Sequence, residues 1–167
     1  TVSPGCGGVL FLPYLAGERV PDLPEATGTL LGLRPESFAP GVLFRAALEG
    51  TSLNLAWGVD RMRGLGVEVT AVHLVGGAAR NPLWRTILAD VLGCTVTPLA
   101  EPESAALGDA LQAAWSARRA GGEDVDVDDV AAPCVRPGGE PTEPDAGRVA
   151  AYGELAAEFR ERVAALY

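Results

Sequence analysis

The sequence predicts an α/β fold, in which helices flank a largely parallel sheet. Between residues 40 and 119, stretches with helical and strand periodicity alternate in the order helix, strand, helix, strand, helix. The run VTAVHLV at residues 69–75 is almost continuously apolar, as in a strand that is covered on both faces. The chain has 167 residues, of which 48% are hydrophobic and 21% charged, so it can bury the core of one globular domain.

Residues 8–39 are predicted to form strand and irregular loop rather than helix. The segment GVLFLPYL at residues 8–15 is apolar, and glycines and prolines recur from Gly17 to Pro35. A long amphipathic helix is then predicted from Pro40 to Gly64 or Gly66. Its expected core-facing residues recur at helical spacing: Phe44, Leu48, Leu55, Val59 and Met62.

The next predicted helix has signals at both ends. Asn81 is at the N-cap position, Pro82 at the first helical position and Gly93 just past the end. Its apolar face consists of Trp84, Ile87, Leu88, Val91 and Leu92. The strand before it contains His73, which is predicted to lie in the core because no aspartate or cysteine is nearby at ligand spacing.

The last third of the chain is predicted to contain a short strand at residues 94–99 and two further helices. The first helix, at residues 103–119, has Leu107, Leu111, Ala114 and Trp115 on one face. The acidic run at 120–133 is predicted to be a solvated linker or short helix, because it lacks the glycine and glutamate that a calcium-binding loop requires. The final helix has an apolar face of Val149, Tyr152, Ala156, Phe159 and Val163, with Glu158 and Arg162 paired on the outside.

The charged residues exclude several classes of function. All thirteen cationic side chains are arginines, so there is no lysine for a P-loop, a pyridoxal Schiff base or a Ser-x-x-Lys nucleophile. The net charge of −9 argues against nucleic-acid and anionic-membrane partners, which would repel this surface. Three distant cysteines and a single histidine predict neither a disulfide framework nor a zinc site, and they favour the reducing cytoplasm.

No apolar run approaches the ~18 to 20 residues of a membrane span, and the N-terminus has no secretory leader pattern. We therefore predict no membrane association. The sequence begins at Thr1 without a methionine, from which we expect a piece of a longer protein.

The stretch LVGGAARNPLWRTILADVLG at residues 74–93 joins a strand to the capped helix through Gly76 and Gly77. Because glycine has no Cβ, a ligand can approach this backbone closely, and the helix N-terminus offers unpaired amides and a positive dipole end. The stretch is thus a candidate site for a nucleotide or another anion. An ordinary tight turn between strand and helix explains the same pattern.

The other candidate residues do not form a catalytic set. The loop GERVP at residues 17–21 places Glu18 beside Arg19, either as functional loop residues or as a surface ion pair. Asp90 and Asp109 are isolated carboxylates on predicted helices, without a second carboxylate at the spacing of an acid–base pair.

Four motifs resemble, in order and spacing, the C-terminal domain of the FGGY carbohydrate kinases, and most closely their xylulokinase members. They are FLPYLAGERVP at residues 11–21, RAALEGTSLNLAWGVDRMRGLG at 45–66, the glycine-containing stretch at 74–93, and ESAALGDALQAAW at 103–115. Gluconokinase-like members share part of the first motif, so the motifs identify the family better than the sugar.

The resemblance implies an actin-like ATPase architecture, in which two ribonuclease H-like domains close over a cleft and the C-terminal one holds most of the ATP. Residues 1–167 would then be the nucleotide-binding part, a partial ribonuclease H-like domain whose sheet has flanking helices. In this resemblance Gly77, Ala78 and Asn81 match positions that contact the nucleotide, Gly76 completes the turn, and Arg80 is a further contact. Ala78 replaces the third glycine of many members.

By the same resemblance, the catalytic aspartate, most sugar contacts and both phosphate loops belong to segments that this sequence does not contain. Their absence is expected to leave apolar surface exposed where further strands of the sheet would pair. ATP and Mg²⁺ are the expected cofactors, held mainly by those segments, and a sugar is the expected substrate. The chain alone is expected to be inactive, and the full enzyme is a candidate homodimer.

Three functions remain open at this point. The leading one is the ATP-binding portion of a kinase that phosphorylates a ketose such as D-xylulose. The second is a kinase of the gluconate or ribulose type. The third is a non-catalytic structural or interaction module.

Overall fold

The computed structural model describes residues 2–101 and 103–167. Its strands are β1 (Leu10–Leu12), β2 (Thr29–Leu31), β3 (Ala71–Leu74) and β4 (Thr95–Pro98). Its helices are α1 (Pro40–Gly64), α2 (Pro82–Leu92), α3 (Ser104–Ala120), α4 (Val127–Ala131) and α5 (Ala146–Leu166). The predicted α/β class and the alternation of helix and strand between residues 40 and 119 are confirmed.

The strands form two small sheets. Strands β1 and β2 are an antiparallel pair, in which Leu12 is opposite Thr29. Strands β3 and β4 are parallel, with Ala71 opposite Thr95. Because α2 connects β3 to β4, these three elements form one βαβ unit, and the carboxyl ends of both strands lie at the same edge.

The chain after α4 returns to the free edge of β4. The N–H of Thr142 donates to the carbonyl of Val96 at 2.8 Å, and the N–H of Val96 donates to the carbonyl of Thr142 at 3.0 Å. The pairing is antiparallel and extends back to Pro137, which lies opposite Leu99. A proline- and glycine-rich stretch without strand periodicity therefore lines the parallel sheet.

Helix α1 turns a different face to the core from the predicted one. Of the predicted residues Leu48 is buried, whereas Phe44 is 55% exposed and Leu55 and Met62 are similarly exposed. The buried face consists mainly of smaller residues: Ala46, Glu49, Gly50, Ser52, Leu53 and Ala56. A Cβ at Gly50 would collide with the carbonyl oxygen of Phe11, so glycine is what lets β1 approach the helix closely.

Of the four hydrophobic clusters among the described residues, α1 contributes to the two largest. The first lies between β1, α1 and α5 and contains Leu10, Leu12, Tyr14, Leu53, Phe159 and Val163. The second lies between α1, α2 and β4 and contains Ala56, Leu88, Ala89, Leu92, Cys94 and Val96. The second cluster packs α1 against the βαβ unit.

The predictions for α2 and α5 are confirmed. Gly93 ends α2 in the left-handed conformation, with φ of 62°, as expected for a residue just past a helix. In α5, Tyr152 and Phe159 are buried, while Glu158 and Arg162 form an exposed ion pair at 3.1 Å.

Strand β3 is not covered on both faces, so the prediction of a core histidine is wrong. Val72 and Leu74 are half-buried against the second cluster, whereas Ala71 and His73 are exposed. Only the face of β3 that carries Val72 and Leu74 packs against the core.

Helix α3 lies at the surface rather than in the core. It contains no buried residue and packs on α4, and the indole N–H of Trp115 donates to the carbonyl of Val125, which precedes α4, at 3.0 Å. The short helix α4 confirms one of the two alternatives for the acidic run. Among the helices described, none is both long and apolar enough to cross a bilayer.

The buried carboxylate of Glu49 ties α1 to the N-terminal segment and to α5. It is 2% exposed and accepts hydrogen bonds from Arg45 Nε at 2.6 Å and the Tyr152 hydroxyl at 2.8 Å. It also accepts from the Gly5 N–H at 3.1 Å and the Cys6 thiol at 3.3 Å. Burial and this carboxylate both raise the pKa of Tyr152, so the phenol stays protonated.

Candidate functional site

A pocket of about 480 Å³ lies at the carboxyl ends of the parallel strands β3 and β4. In open α/β sheets ligands bind at this edge, and the volume is within the range of small-molecule sites. Its wall is formed by Gly76, Ala79, Arg80, Arg85, Pro98, Leu99, Ala100, Gly138 and Gly139. It is therefore the candidate ligand site of the chain.

The glycine turn, residues 76–81, leads from β3 into α2. Gly76 has φ of 74° and ψ of −157°, a conformation that essentially only glycine adopts. A short 3₁₀ helix, Gly77–Arg80, follows it. Asn81 then caps α2, because its side-chain oxygen accepts from the N–H groups of Leu83 at 3.0 Å and Trp84 at 3.2 Å.

The structure brings the five predicted site residues into this turn but gives them different positions. Gly76 and Arg80 line the pocket, whereas Gly77, Ala78 and Asn81 lie beside it in the same turn. A Cβ added at Gly76 or Gly77 would meet no atom within 4 Å, so the backbone there faces open space. The turn thus leaves backbone accessible at this point, and its role in binding a ligand stays a prediction.

Arg85 is a pocket residue that the sequence reasoning missed. It lies on the first turn of α2, and its Nη1 donates to the carbonyl of Ala79 at 2.6 Å, which fixes the guanidinium against the glycine turn. Its Nε is buried without a hydrogen-bond partner among the described residues. The sequence does contain a signal for this residue, since Arg85 lies four residues after the N-cap Asn81 and so stays close to the glycine turn.

The electrostatics of the pocket favour an anion. Within the part of the chain that the structure describes, neither Arg80 nor Arg85 forms an ion pair with a carboxylate. Two uncompensated guanidinium groups therefore border one cavity in a chain whose net charge is −9. The N-terminus of α2 adds partial positive charge beside them.

The opposite boundary of the pocket is formed by the segment that follows α4. The N–H of Gly138 donates to the carbonyl of Pro98 at 2.7 Å, and the N–H of Ala100 donates to the carbonyl of Arg136 at 2.9 Å. These bonds join the end of β4 to Gly138 and Gly139, which line the cavity. Sequence reasoning also missed this wall, because its residues have no strand periodicity.

The loop that contains Glu18 and Arg19 has a structural explanation. The carboxylate of Glu18 accepts from the backbone N–H of Arg19 at 2.7 Å and from the Asn54 amide at 3.0 Å. The Asn54 oxygen in turn accepts from the Tyr14 hydroxyl at 3.0 Å. The suggested ion pair is therefore wrong, since Glu18 holds the loop to α1 rather than to the Arg19 guanidinium.

The carboxylates on helices also have structural positions. Asp90 is 1% exposed and pairs with Arg148, while one of its oxygens accepts from the N–H of Asp145 at 2.8 Å. Asp109 is exposed on α3. Across residues 2–101 and 103–167, no three acidic, histidine or cysteine side chains converge in a way that could hold a metal ion.

Two of the three cysteines, Cys6 and Cys94, are buried and are not activated as nucleophiles. Burial, followed by the Glu49 charge, raises the pKa of the Cys6 thiol to about 12, and burial also raises the pKa of Cys94. Cys134 is free and exposed.

A second cavity, of about 330 Å³ between β1, β2 and α5, contains two charged side chains, Glu158 and Arg162, which pair with each other.

Comparison with known proteins shows the family of the chain. Residues 1–117 match the FGGY family of carbohydrate kinases, C-terminal domain. The xylulose kinase of Haemophilus influenzae is 40% identical over 112 residues, which are 67% of this chain and 23% of that protein. The chain thus spans about a quarter of the length of that curated relative.

Solved structures give the same result. The crystal structure of xylulose kinase from Rhodospirillum rubrum superposes with a TM-score of 0.80 at 36% identity, over 99% of this chain and 32% of that one. The gluconate kinase from Lactobacillus acidophilus superposes with a TM-score of 0.84 at 25% identity, with the same coverage. These kinases have the actin-like ATPase fold, which confirms the predicted fold class. From the family match over residues 1–117, this chain belongs to the FGGY family of carbohydrate kinases.

Proposed function

We propose that this chain is the ATP-binding portion of a kinase that phosphorylates D-xylulose at a hydroxyl group. The main support is the pocket at the carboxyl ends of β3 and β4, where a glycine-containing turn and a helix N-terminus meet two arginines that pair with no carboxylate among the described residues. This combination suits a nucleoside phosphate, which has a flat base that can lie on bare backbone and negative charges that favour cations.

The residues have distinct roles in this proposal. Gly76, Gly77 and Ala78 present backbone to the adenosine part of ATP. Asn81 uses its oxygen to cap α2, which leaves its amide NH₂ to donate to the nucleotide. Arg80 supplies positive charge at the rim of the pocket.

When bound, ATP supplies the γ-phosphoryl group and Mg²⁺ neutralises its developing charge. We propose that Mg²⁺ is held mainly by the nucleotide and by parts of the kinase outside this chain, as are the catalytic aspartate and most sugar contacts. The described residues do not gather a metal-binding set of their own. The chain by itself would then bind nucleotide without transferring phosphate, since transfer depends on positioning by both lobes.

The choice of D-xylulose rests on the relatives named xylulose kinase, while a structural neighbour named gluconate kinase supports the alternative substrate. A coupled assay of the full-length kinase with D-xylulose, D-ribulose and D-gluconate decides between them. We expect kcat/KM to be highest for D-xylulose, and a preference for gluconate would overturn this choice.

The three free cysteines support a reducing, cytoplasmic location.

The adenosine assignment is tested by Asn81→Ser in the full-length kinase. Serine keeps an N-cap oxygen but removes the amide donor, so α2 stays capped while one hydrogen bond to ATP is lost. We expect KM for ATP to rise by about 2- to 10-fold, with KM for the sugar unchanged.

The matched control is Asn54→Ser, the same substitution at a residue that bonds Glu18 and Tyr14 and does not line the pocket. This control should lower stability without changing KM for ATP. Equal changes in KM for ATP and sugar in Asn81→Ser would refute the adenosine assignment.

A further inference from the structure

One wall of the pocket comes from a part of the sequence beyond the family match. The match ends at residue 117, whereas Gly138 and Gly139 line the same cavity as Gly76 and Arg80. We propose that residues 136–139, the C-terminal wall, are a second nucleotide-binding element of this kinase. The inference rests on the proposed ATP site and extends it to residues that the glycine turn does not include.

The C-terminal wall is held firmly at the end of β4. Backbone hydrogen bonds join Gly138 to Pro98 at 2.7 Å and Arg136 to Ala100 at 2.9 Å. The Nε of Arg136 also donates to the carbonyl of Pro133 at 2.6 Å, which fixes the approach of the chain to the wall. Hydrogen bonds therefore hold the C-terminal wall in a defined position against the end of β4.

Glycine is required at position 138 for this approach. A Cβ there would lie 2.5 Å from the carbonyl oxygen of Leu99 and 2.6 Å from the N of Ala100. Because both atoms belong to the backbone of the β4 end, they cannot move aside as a flexible side chain could. Any side chain at 138 must push the wall away from β4 and change the width of the pocket.

The chemistry of the cavity indicates what the wall would contact. Gly138 and Gly139 form a surface of the cavity that has no side chains. The glycines of the glycine turn form a second such surface. Arg85, on the wall formed by α2, has a buried Nε without a partner among the described residues, and such unsatisfied donors are rare in folded proteins. A flat, anionic ligand between bare backbone surfaces, such as a nucleoside diphosphate, suits this arrangement.

The direct test is a titration of the ¹⁵N-labelled chain with ADP, followed by amide chemical shifts. We expect the amides of Gly138 and Gly139 to shift together with those of Gly76 and Gly77, with one common saturation curve. Shifts that include the glycine turn but leave Gly138 and Gly139 unchanged would overturn the inference while leaving the proposed ATP site intact. Absence of any shift would refute both.

A pair of glycine variants tests the same inference by affinity. Gly138→Ala should weaken ADP binding by about tenfold in calorimetry, because the displaced wall loses a well-placed contact. The control is Gly153→Ala, at an exposed position on α5 where a Cβ meets no atom within 4 Å; it should bind ADP within about twofold of wild type.

Far-ultraviolet circular dichroism checks that Gly138→Ala retains its helices, as expected for a residue outside the four hydrophobic clusters. A folded Gly138→Ala with wild-type affinity would overturn the inference. The shift experiment uses the wild-type sequence, so it decides the question even for a variant that fails to fold.

Discussion

Replacing Glu49 by alanine should destabilise the chain by about 3 to 5 kcal/mol. The carboxylate is 2% exposed, and the guanidinium that it pairs with, on Arg45, is only 11% exposed. Alanine would leave that charge without its partner and would also remove the acceptor for Tyr152, Gly5 and Cys6. A loss of this size is a large fraction of the 5 to 15 kcal/mol that typically stabilises a domain.

Two further variants separate charge from shape. Glu49→Gln keeps the size of the side chain and one acceptor oxygen but loses the charge, so we expect a smaller cost of about 1.5 to 3 kcal/mol. Glu158→Ala removes the same residue type from an exposed pair with Arg162, in which Glu158 is 48% exposed, and should cost less than about 1 kcal/mol.

The assay is urea unfolding at pH 7, followed by circular dichroism, with all variants measured at the same protein concentration. The predicted order of stability is wild type and Glu158→Ala, then Glu49→Gln, then Glu49→Ala. A Glu49→Ala chain as stable as Glu158→Ala would show that the buried cluster does not hold the N-terminal segment to α1 and α5.

Two other predictions concern the thiols and the alkaline stability. At pH 7 a maleimide should label one cysteine, Cys134, in the folded chain and all three in urea, because Cys6 and Cys94 are buried; rapid labelling of a second thiol in the folded chain would contradict their burial. Burial and the Glu18 charge raise the pKa of Tyr14 to about 12 from its usual value near 10. Above pH 10 the unfolded chain then loses the Tyr14 proton that the folded chain keeps, so the contribution of Tyr14 to stability should be intact below pH 10 and fall as the pH rises towards 12. Tyr14→Phe should flatten this dependence in urea midpoints measured from pH 9 to 11.5, and an unchanged slope would contradict it.

Local signals were enough to predict α2 and α5. The N-cap, the proline at the first helical position and the final glycine defined α2. The apolar face of α5 was also predicted, since its buried residues are the large ones, Tyr152, Phe159 and Val163. In both helices, the side with bulky apolar residues is the side that packs.

Helix α1 shows why the same reasoning failed elsewhere. Its large apolar residues, such as Phe44 and Leu55, face solvent, while Gly50 and Ala46 face β1 and the core. Close approach of a strand selects for small residues, and periodicity of large residues cannot reveal it.

The candidate site was predictable only where it is local. The glycine turn and the cap at Asn81 lie in one contiguous stretch, so their spacing could be read directly. Arg85 and Gly138 join the pocket through the packing of α2 and the return of the chain to β4, separated by more than fifty residues. Such contacts depend on tertiary structure, and no short motif encodes them.

The most direct test of the account is calorimetric titration of the purified 167-residue chain with ADP, with circular dichroism to show that the chain is folded. The account predicts saturable binding at one site, which is weakened in Asn81→Ser and unchanged in Asn54→Ser. A folded chain that releases no heat and shows no saturation with ADP would contradict the assignment of the β3–β4 pocket as a nucleotide site, and would favour a structural or interaction module.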